Sequence, residues 1–265
     1  MESFDGRVTV LNASKCALLA CNQWGTVSRS YRDDLMHVSP LRHLLHQFPA
    51  PFAHLNGIRT NDRLEVRTKK ENSCVLIVEK IQKVLAKFGA TDHAEAKRRV
   101  QEKYFGKSDP KIPLFAFVGR IVLQKGVHLI LECARAILSS NREQQEIQIL
   151  VGGPANKKDP YAASCAWKMA ALSSEFPKSF WADPDTFFTD GTLVNAGADF
   201  ALVPSLFEPS GIVQQEFFSG GTPVLAFKTG GLKDTVFEFD TATGNGNGFT
   251  FESHQFDDLM AAMHR

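Results

Sequence analysis

Arg120 and Lys125 stand five positions apart in the segment Gly119–Gly126, directly after an apolar run. Two cations at that spacing suit a diphosphate: the planar guanidinium clamps oxygens through its fork, and the ammonium adds a compact point charge. If a helix begins just beyond them, its first amides add further donors for the same anion. Farther on, Glu208 and Glu216 flank seven residues that include Ser210, Gly211 and Ile212, the start of an expected helix. Glu208 can accept hydrogen bonds from a polyhydroxylated ligand, and Glu216, two helical turns on, can reach a second set of hydroxyls such as a ribose. A second turn, Thr229–Gly230–Gly231–Leu232, follows the next apolar run and is placed to close over phosphates. Cations for phosphates beside carboxylates for hydroxyls describe a sugar nucleotide. Any one of these residues is as readily a solvated side chain or a turn former, so the weight lies in their coincidence at one place.

That coincidence depends on the elements that carry them. From Ile112 the chain alternates short apolar runs with amphipathic segments: IPLFAFV (112–118), a helical face marked by Val127, Ile130, Leu131, Ala134 and Leu138, IQILV (147–151), then a helix over 161–172. An apolar run over 199–203, a helix near 211–219, PVLAF (223–227), GFTFE (248–252) and a last helical segment from about 255 complete the series. Strands alternating with helices imply right-handed crossovers, hence an α/β, Rossmann-like parallel sheet with helices on both faces. Ligands in such sheets sit beyond the carboxyl ends of the strands. Every candidate residue above falls in a segment that follows a strand. The tight turn Gly152–Gly153–Pro154 lies at the same edge.

Residues 1–110 read differently. Short apolar runs are broken by polar loops and by a turn-rich stretch around Pro49, Pro51 and Asn56. Val75 to Phe88 carries apolar residues at helical spacing, and Thr91 is placed to cap a charged helix that ends at Gly106. No independent core is evident there, so the expected division is 1–110 and 111–265. The run Lys97–Arg98–Arg99 reads as a solvated helix face.

Composition sets bounds on the rest. Thirty Lys and Arg against 29 Asp and Glu give a net charge of +1, so an anion must be bound by a local site and not by a global field; nucleic acid is not an expected partner. No apolar run approaches the ~20 residues of a membrane helix, and the first residues make a poor secretory signal. The expected location is the cytoplasm, with a plastid left open. Five cysteines without a C-x-x-C pair argue against zinc and against a disulfide framework, and Cys133 reads as a small buried hydrophobe. His37, His43 and His46 cluster without an acidic or thiol partner at ligand spacing, so no metal is expected. Neither G-x-G-x-x-G after a strand nor G-x-x-x-x-G-K-[ST] occurs, which removes the ordinary dinucleotide and P-loop readings.

At these residues a resemblance becomes specific. Gly119–Arg120 with Gln124–Lys125–Gly126, then Pro204–Ser205 with Phe207–Glu208–Pro209–Ser210–Gly211, then Thr229–Gly230–Gly231–Leu232 with Asp234–Thr235–Val236 resembles the glycogen and starch synthases, retaining glycosyltransferases of the GT-B fold. Upstream, Gly25–Thr26–Val27–Ser28 with Ser30–Tyr31 is similar to that family's TVSPTY segment, and Leu55–Asn56 opens a likeness to its NGID turn. The resemblance implies a GT-B C-terminal domain preceded by a remnant of the N-terminal one. It implies that Arg120 and Lys125 bind the donor diphosphate and stabilise it as it leaves, and that Glu208 contacts the glucosyl unit. Gly211 and Ile212 would line glucose and phosphate with backbone, Gly230, Gly231 and Leu232 would form the phosphate-side turn, and Glu216 would meet the ribose. The implied reaction moves glucose from ADP-glucose or UDP-glucose to an α-1,4-glucan, with no metal or cofactor. The family's Lys-x-Gly-Gly-Leu loop and site histidine are not recognisable, since Lys228–Leu232 lies in the donor half. Three readings therefore stay open: an excerpt of a larger enzyme, one half that works with a missing N-terminal domain or partner chain, or a non-catalytic structural or interaction protein on the same fold.

Overall fold

The computed structural model describes residues 2–4, 8–10, 13–56, 85–86, 89–140 and 147–265. The helix expected over Val75 to Phe88 lies mostly outside them. In chain order the first elements are β1 (Glu2–Phe4) and β2 (Val8–Val10), which pair antiparallel, then α1 (Ala13–Ala20), β3 (Gly25–Thr26), α2 (Arg29–His37), α3 (Arg42–Leu45) and β4 (Phe52–Ala53). β4 returns to pair in parallel with β3.

α4 (His93–Phe105) follows. Its cap is Asp92 and not Thr91: the Asp92 carboxylate accepts the Glu95 N–H at 2.9 Å, a position a carboxylate fills well beside the positive end of the helix. Gly106, at φ 66°, ends it in the left-handed conformation. The basic run inside it is not a uniformly solvated face. Arg98 and Arg99 pair with Glu95 in the open, but Lys97 is buried and its ammonium meets Asp199 at 2.7 Å and the Pro110 carbonyl at 2.9 Å.

Then come β5 (Leu114–Val118), a 3-10 turn (Leu123–Lys125), α5 (Val127–Ser140), β6 (Gln148–Gly152), α6 (Pro160–Glu175), β7 (Phe180–Asp183), α7 (Gly191–Gly197), β8 (Phe200–Val203), α8 (Ile212–Gly220), β9 (Val224–Phe227), α9 (Gly230–Thr235), β10 (Gly248–Phe251) and α10 (Phe256–Met263). The elements expected from Ile112 onward are present, with ends moved by a few residues, and β7, α7 and α9 are added to them. The strands form one parallel six-stranded sheet in the order β10-β9-β8-β5-β6-β7.

Alternation along β5 shows how the sequence builds two layers. Phe115 and Phe117 face a core shared with Ile130 and Ala134 of α5, Met169 and Leu172 of α6 and Leu259 of α10. Leu114 and Ala116 face the other, with Val100 of α4, Val194 of α7, Phe217 of α8 and Leu232 of α9. Both sides of the strand are apolar because both sides are covered. Phe217 is fully buried and its neighbour Phe218 only partly, as one helix face requires. α4, although it precedes residue 110, packs wholly within this second layer.

Strand order decides where a ligand can enter. The chain runs outward from β5 through β6 to β7, then crosses back to β8 on the other flank of β5. The direction of winding therefore reverses between β5 and β8, and the loops leaving these two strands diverge there into a crevice.

Candidate functional site

Lys125 leaves β5 and Glu208 leaves β8, so the reversal point separates exactly the two residues whose charges oppose. Their side chains meet across it, Lys125 Nζ to Glu208 Oε2 at 2.5 Å, with 16% and 10% of the two side chains exposed. The two loops are joined in several further places. The Leu206 N–H donates to the Gln124 carbonyl at 2.8 Å, and Gln124 Nε2 donates to the Phe207 carbonyl at 2.8 Å. Gly126 is required here, since a Cβ at this left-handed residue would lie 2.0 Å from the Pro204 carbonyl oxygen. His254, just past β10, donates from the other side to that same carbonyl at 2.9 Å.

Arg120 stands at the start of the β5 loop, exposed. Its guanidinium has no ion pair or hydrogen bond among the described residues. Gly119 is tied to the β6 turn, its N–H donating to the Gly152 carbonyl at 2.9 Å, while Gly153 passes so close to the Gly119 carbonyl that no side chain fits. The first amides of α5 are not free donors, however. His128 N–H is taken by the Tyr161 hydroxyl at 3.1 Å and Leu129 N–H by the Gly126 carbonyl.

The uncapped helix start lies on the β8 side. Gly211 precedes α8 in the left-handed region, φ 73°, and offers its first turn no side-chain cap. The Glu208–Gly211 turn beneath is held from behind. The Gly231 N–H donates to the Glu208 carbonyl at 2.8 Å, and Gln214 Nε2 donates to the Ser210 carbonyl at 3.0 Å. Gly230 and Gly231 therefore support the turn as well as bordering the crevice, and a Cβ on either would collide with Glu208, Pro209 or Ser210 backbone. Thr229 Oγ1 reaches the Leu206 carbonyl at 3.3 Å, and Leu232 is buried in the core below. Ser210 is buried, with Oγ accepting the Asn56 N–H at 3.4 Å. Ile212 is half exposed beside it. Just over one turn along α8, Glu216 is open to solvent, although the surrounding protein raises its carboxyl above the ordinary range by desolvation.

Among the described residues, Ser205 Oγ and Gln214 Oε1 near the turn are buried without a hydrogen-bond partner. Residue spacing did not single out Gln214, Ser28 or Asp234. Ser28 and Asp234 stand inside the motifs quoted above, which is the only signal that marks them. Both reach the turn from outside the crevice, as described below. Elsewhere, His37, His43 and His46 each bond a backbone carbonyl, and among the described residues no three His, Cys, Asp or Glu side chains gather as a metal ligand set. Cys133 is fully buried and burial pushes its thiol up to about 12. No helix of the described residues is long and apolar enough to cross a membrane.

The reversal point brings a cation and a carboxylate together at the carboxyl edge of a parallel sheet, where α/β folds bind their ligands. Residues 100–265 match the model of the glycosyl transferases group 1, and the chain belongs to that family. Within it the likeness is to the glycogen and starch synthases. A glycogen synthase of Bacillus cereus (strain B4264) is 28% identical over 261 residues, 96% of this chain and 50% of the relative. One from Clostridium novyi (strain NT) is 33% identical over 176 residues, 65% of this chain and 34% of the relative. Among solved structures, the catalytic domain of starch synthase IV from Arabidopsis thaliana, bound to ADP and acarbose, superposes with a TM-score of 0.70 at 23% identity, covering 95% of this chain and 49% of that one. The chain is thus glycogen/starch synthase-like and spans about half the length of the relatives it matches, with the fold of a GT-B C-terminal half.

Proposed function

We propose that this chain binds the nucleotide-sugar donor, ADP-glucose or UDP-glucose, of a glycogen/starch synthase-type reaction in which glucose passes to an α-1,4-glucan with retention. The carrying observation is the Lys125–Glu208 contact across the β5/β8 crevice, flanked by Arg120, which has no partner among the described residues, and by the start of α8, which has no side-chain cap. Arg120 and Lys125 embrace the diphosphate. As the sugar–phosphate bond breaks, negative charge grows on the departing nucleoside diphosphate, and fixed cations there lower the barrier by stabilising that charge. Glu208, released in part from Lys125, accepts hydroxyls of the glucosyl unit, with Gly211 and Ile212 presenting backbone beside it. Glu216 meets the ribose and Gly230–Leu232 close the phosphate side. The acceptor glucan and the surfaces that exclude water come from an N-terminal glycosyltransferase domain, supplied in the same polypeptide or by a partner chain.

Titration calorimetry with ADP, UDP and their glucose conjugates tests this. Binding by the wild-type chain, weakened in Arg120→Ala and in Lys125→Ala, is the expected result. A chain that is folded by circular dichroism and silent toward all four ligands would instead be a non-catalytic scaffold on the same fold.

A further inference from the structure

The donor turn is fastened from a segment nearly 200 residues away. Ser28 caps α2: its Oγ accepts the Tyr31 N–H at 3.1 Å and donates its own hydrogen to the Pro209 carbonyl at 2.5 Å. Ser28 is 1% exposed, so that hydroxyl is committed to these two partners. At the second residue of α2, Ser30 donates from both N–H (2.9 Å) and Oγ (2.6 Å) to the two oxygens of Asp234 on α9. A carboxylate at the first turn of a helix sits at its positive end, which strengthens both bonds. The Tyr31 ring meets Phe207 edge-on, centroids 5.2 Å apart. Since Gly231 at the head of α9 holds the Glu208 carbonyl, the bonds close on themselves: Ser28 to Pro209, Glu208 to Gly231, and along α9 from Gly231 to Asp234, which holds Ser30. Glu208, the residue that grips Lys125, is a member of this ring.

We infer that Ser28, Ser30 and Asp234 are positioning residues for the donor: they touch no part of it, but they set the Glu208–Gly211 turn at the height where Glu208 and the α8 amides can receive it. The inference rests on the donor-site reading above. Two hydrogen bonds to one carboxylate are the strongest link in the ring, so removing that carboxylate has the largest effect. The turn then relaxes away from Lys125 while both layers of the sheet stay packed.

The test uses the 265-residue chain, calorimetry with ADP and UDP, and amide hydrogen exchange read by mass spectrometry. Asp234→Ala is expected to weaken nucleotide binding by about tenfold and to speed exchange over 206–211, with β5 and β6 exchanging as in wild type. Ser30→Ala weakens binding in the same direction, Ser30→Thr restores it, and the Ser30→Ala/Asp234→Ala pair is no weaker than Asp234→Ala alone, because both changes cut the same link. A merely structural role would speed exchange throughout the sheet and would show no rescue by threonine. Wild-type binding that is lost in Arg120→Ala yet unchanged in Asp234→Ala overturns this inference alone. No binding by the wild-type chain overturns the donor-site reading and this inference together.

Discussion

Two lysine–carboxylate pairs hold β5 and β8 to the rest of the molecule, one at each end of the strands. At the amino end, Asp199 takes Lys97 at 2.7 Å, the Leu114 N–H at 2.7 Å and His93 at 3.5 Å, and Lys97 also reaches the Pro110 carbonyl. Burial alone would raise the Asp199 carboxyl, yet these partners hold it below its ordinary value. At the carboxyl end Glu208 has, among the described residues, Lys125 as its one side-chain partner, with unpaired Arg120 near the same loop and with Ser205 Oγ and Gln214 Oε1 buried unpaired. The residue types match, but one pair is saturated and the other is not. A saturated pair has no bond to offer a ligand and serves the fold; an undersupplied one keeps capacity for something that arrives.

Removing a partner at each end should therefore damage different things. Asp199→Ala strands a buried ammonium and an unpaired strand N–H, and losses of this kind run to about 3–5 kcal/mol. Urea denaturation should show that fall in the midpoint, and the residual folded protein should still bind ADP or UDP. A loss below about 1 kcal/mol would mean that Lys97 finds water, and the contrast between the two ends would collapse.

At the other end the informative change is the double neutral variant Lys125→Met/Glu208→Gln. Replacing a buried ion pair by neutral side chains of similar size is often neutral or stabilising. The variant should melt at or above the wild-type temperature while nucleotide affinity falls by about 100-fold, close to 3 kcal/mol. Stability lost together with affinity would show that this pair, too, is structural.

Gly211 separates turn geometry from charge. Its φ of 73° is unfavourable for alanine, and a Cβ would lie 2.1 Å from Gln214 Oε1. Gly211→Ala should cost about 1–2 kcal/mol of stability and weaken nucleotide binding with Lys125 and Glu208 intact. Calorimetry and thermal melts on the same preparation read both. Unchanged affinity would detach α8 from the site.

Much of this was legible in residue order, for physical reasons that differ from place to place. Five of the six strands announce themselves because a strand covered on both faces must be a short, wholly apolar run, and 112–118 and 147–151 are such runs; β7, at the sheet edge and only partly buried, ends in a polar Asp183 and does not. The loop residues Arg120, Lys125 and Glu208 were legible because glycines and charges after a strand have few structural reasons to recur at one edge. The Lys97–Arg98–Arg99 face was misread. Helical spacing places these side chains around the surface, but only tertiary packing puts Asp199 opposite Lys97. The ring through Ser28 and Asp234 joins the two regions that composition sets apart, and pairwise contacts across 204 residues leave no periodic trace.

The smallest expected effect sharpens the amino-end half of the contrast, through pH. His93 lies between the Ala196 carbonyl, 2.8 Å from Nδ1, and Asp199, 3.5 Å from Nε2. The hydrogen bond with Asp199 is the main reason its pKa is raised above 6.5; burial opposes it, and the Ala196 carbonyl supports it. A group whose folded pKa exceeds its unfolded one adds stability that is complete below the unfolded value and disappears as pH rises through the folded one. Stability should therefore slip from just below pH 6.5 upward, by about 0.5 kcal/mol because the ring is half exposed and its charge screened. His93→Gln keeps a donor for the carbonyl and has no titration, so its urea midpoint should stay level over that window. The carboxylate would move the other way, since Asp199 is depressed and its contribution fades only as pH falls below its ordinary value near 3.8. Equal slopes for wild type and His93→Gln above pH 6.5 would remove His93 from the saturated pair and leave Asp199 with two partners, nearer in kind to Glu208.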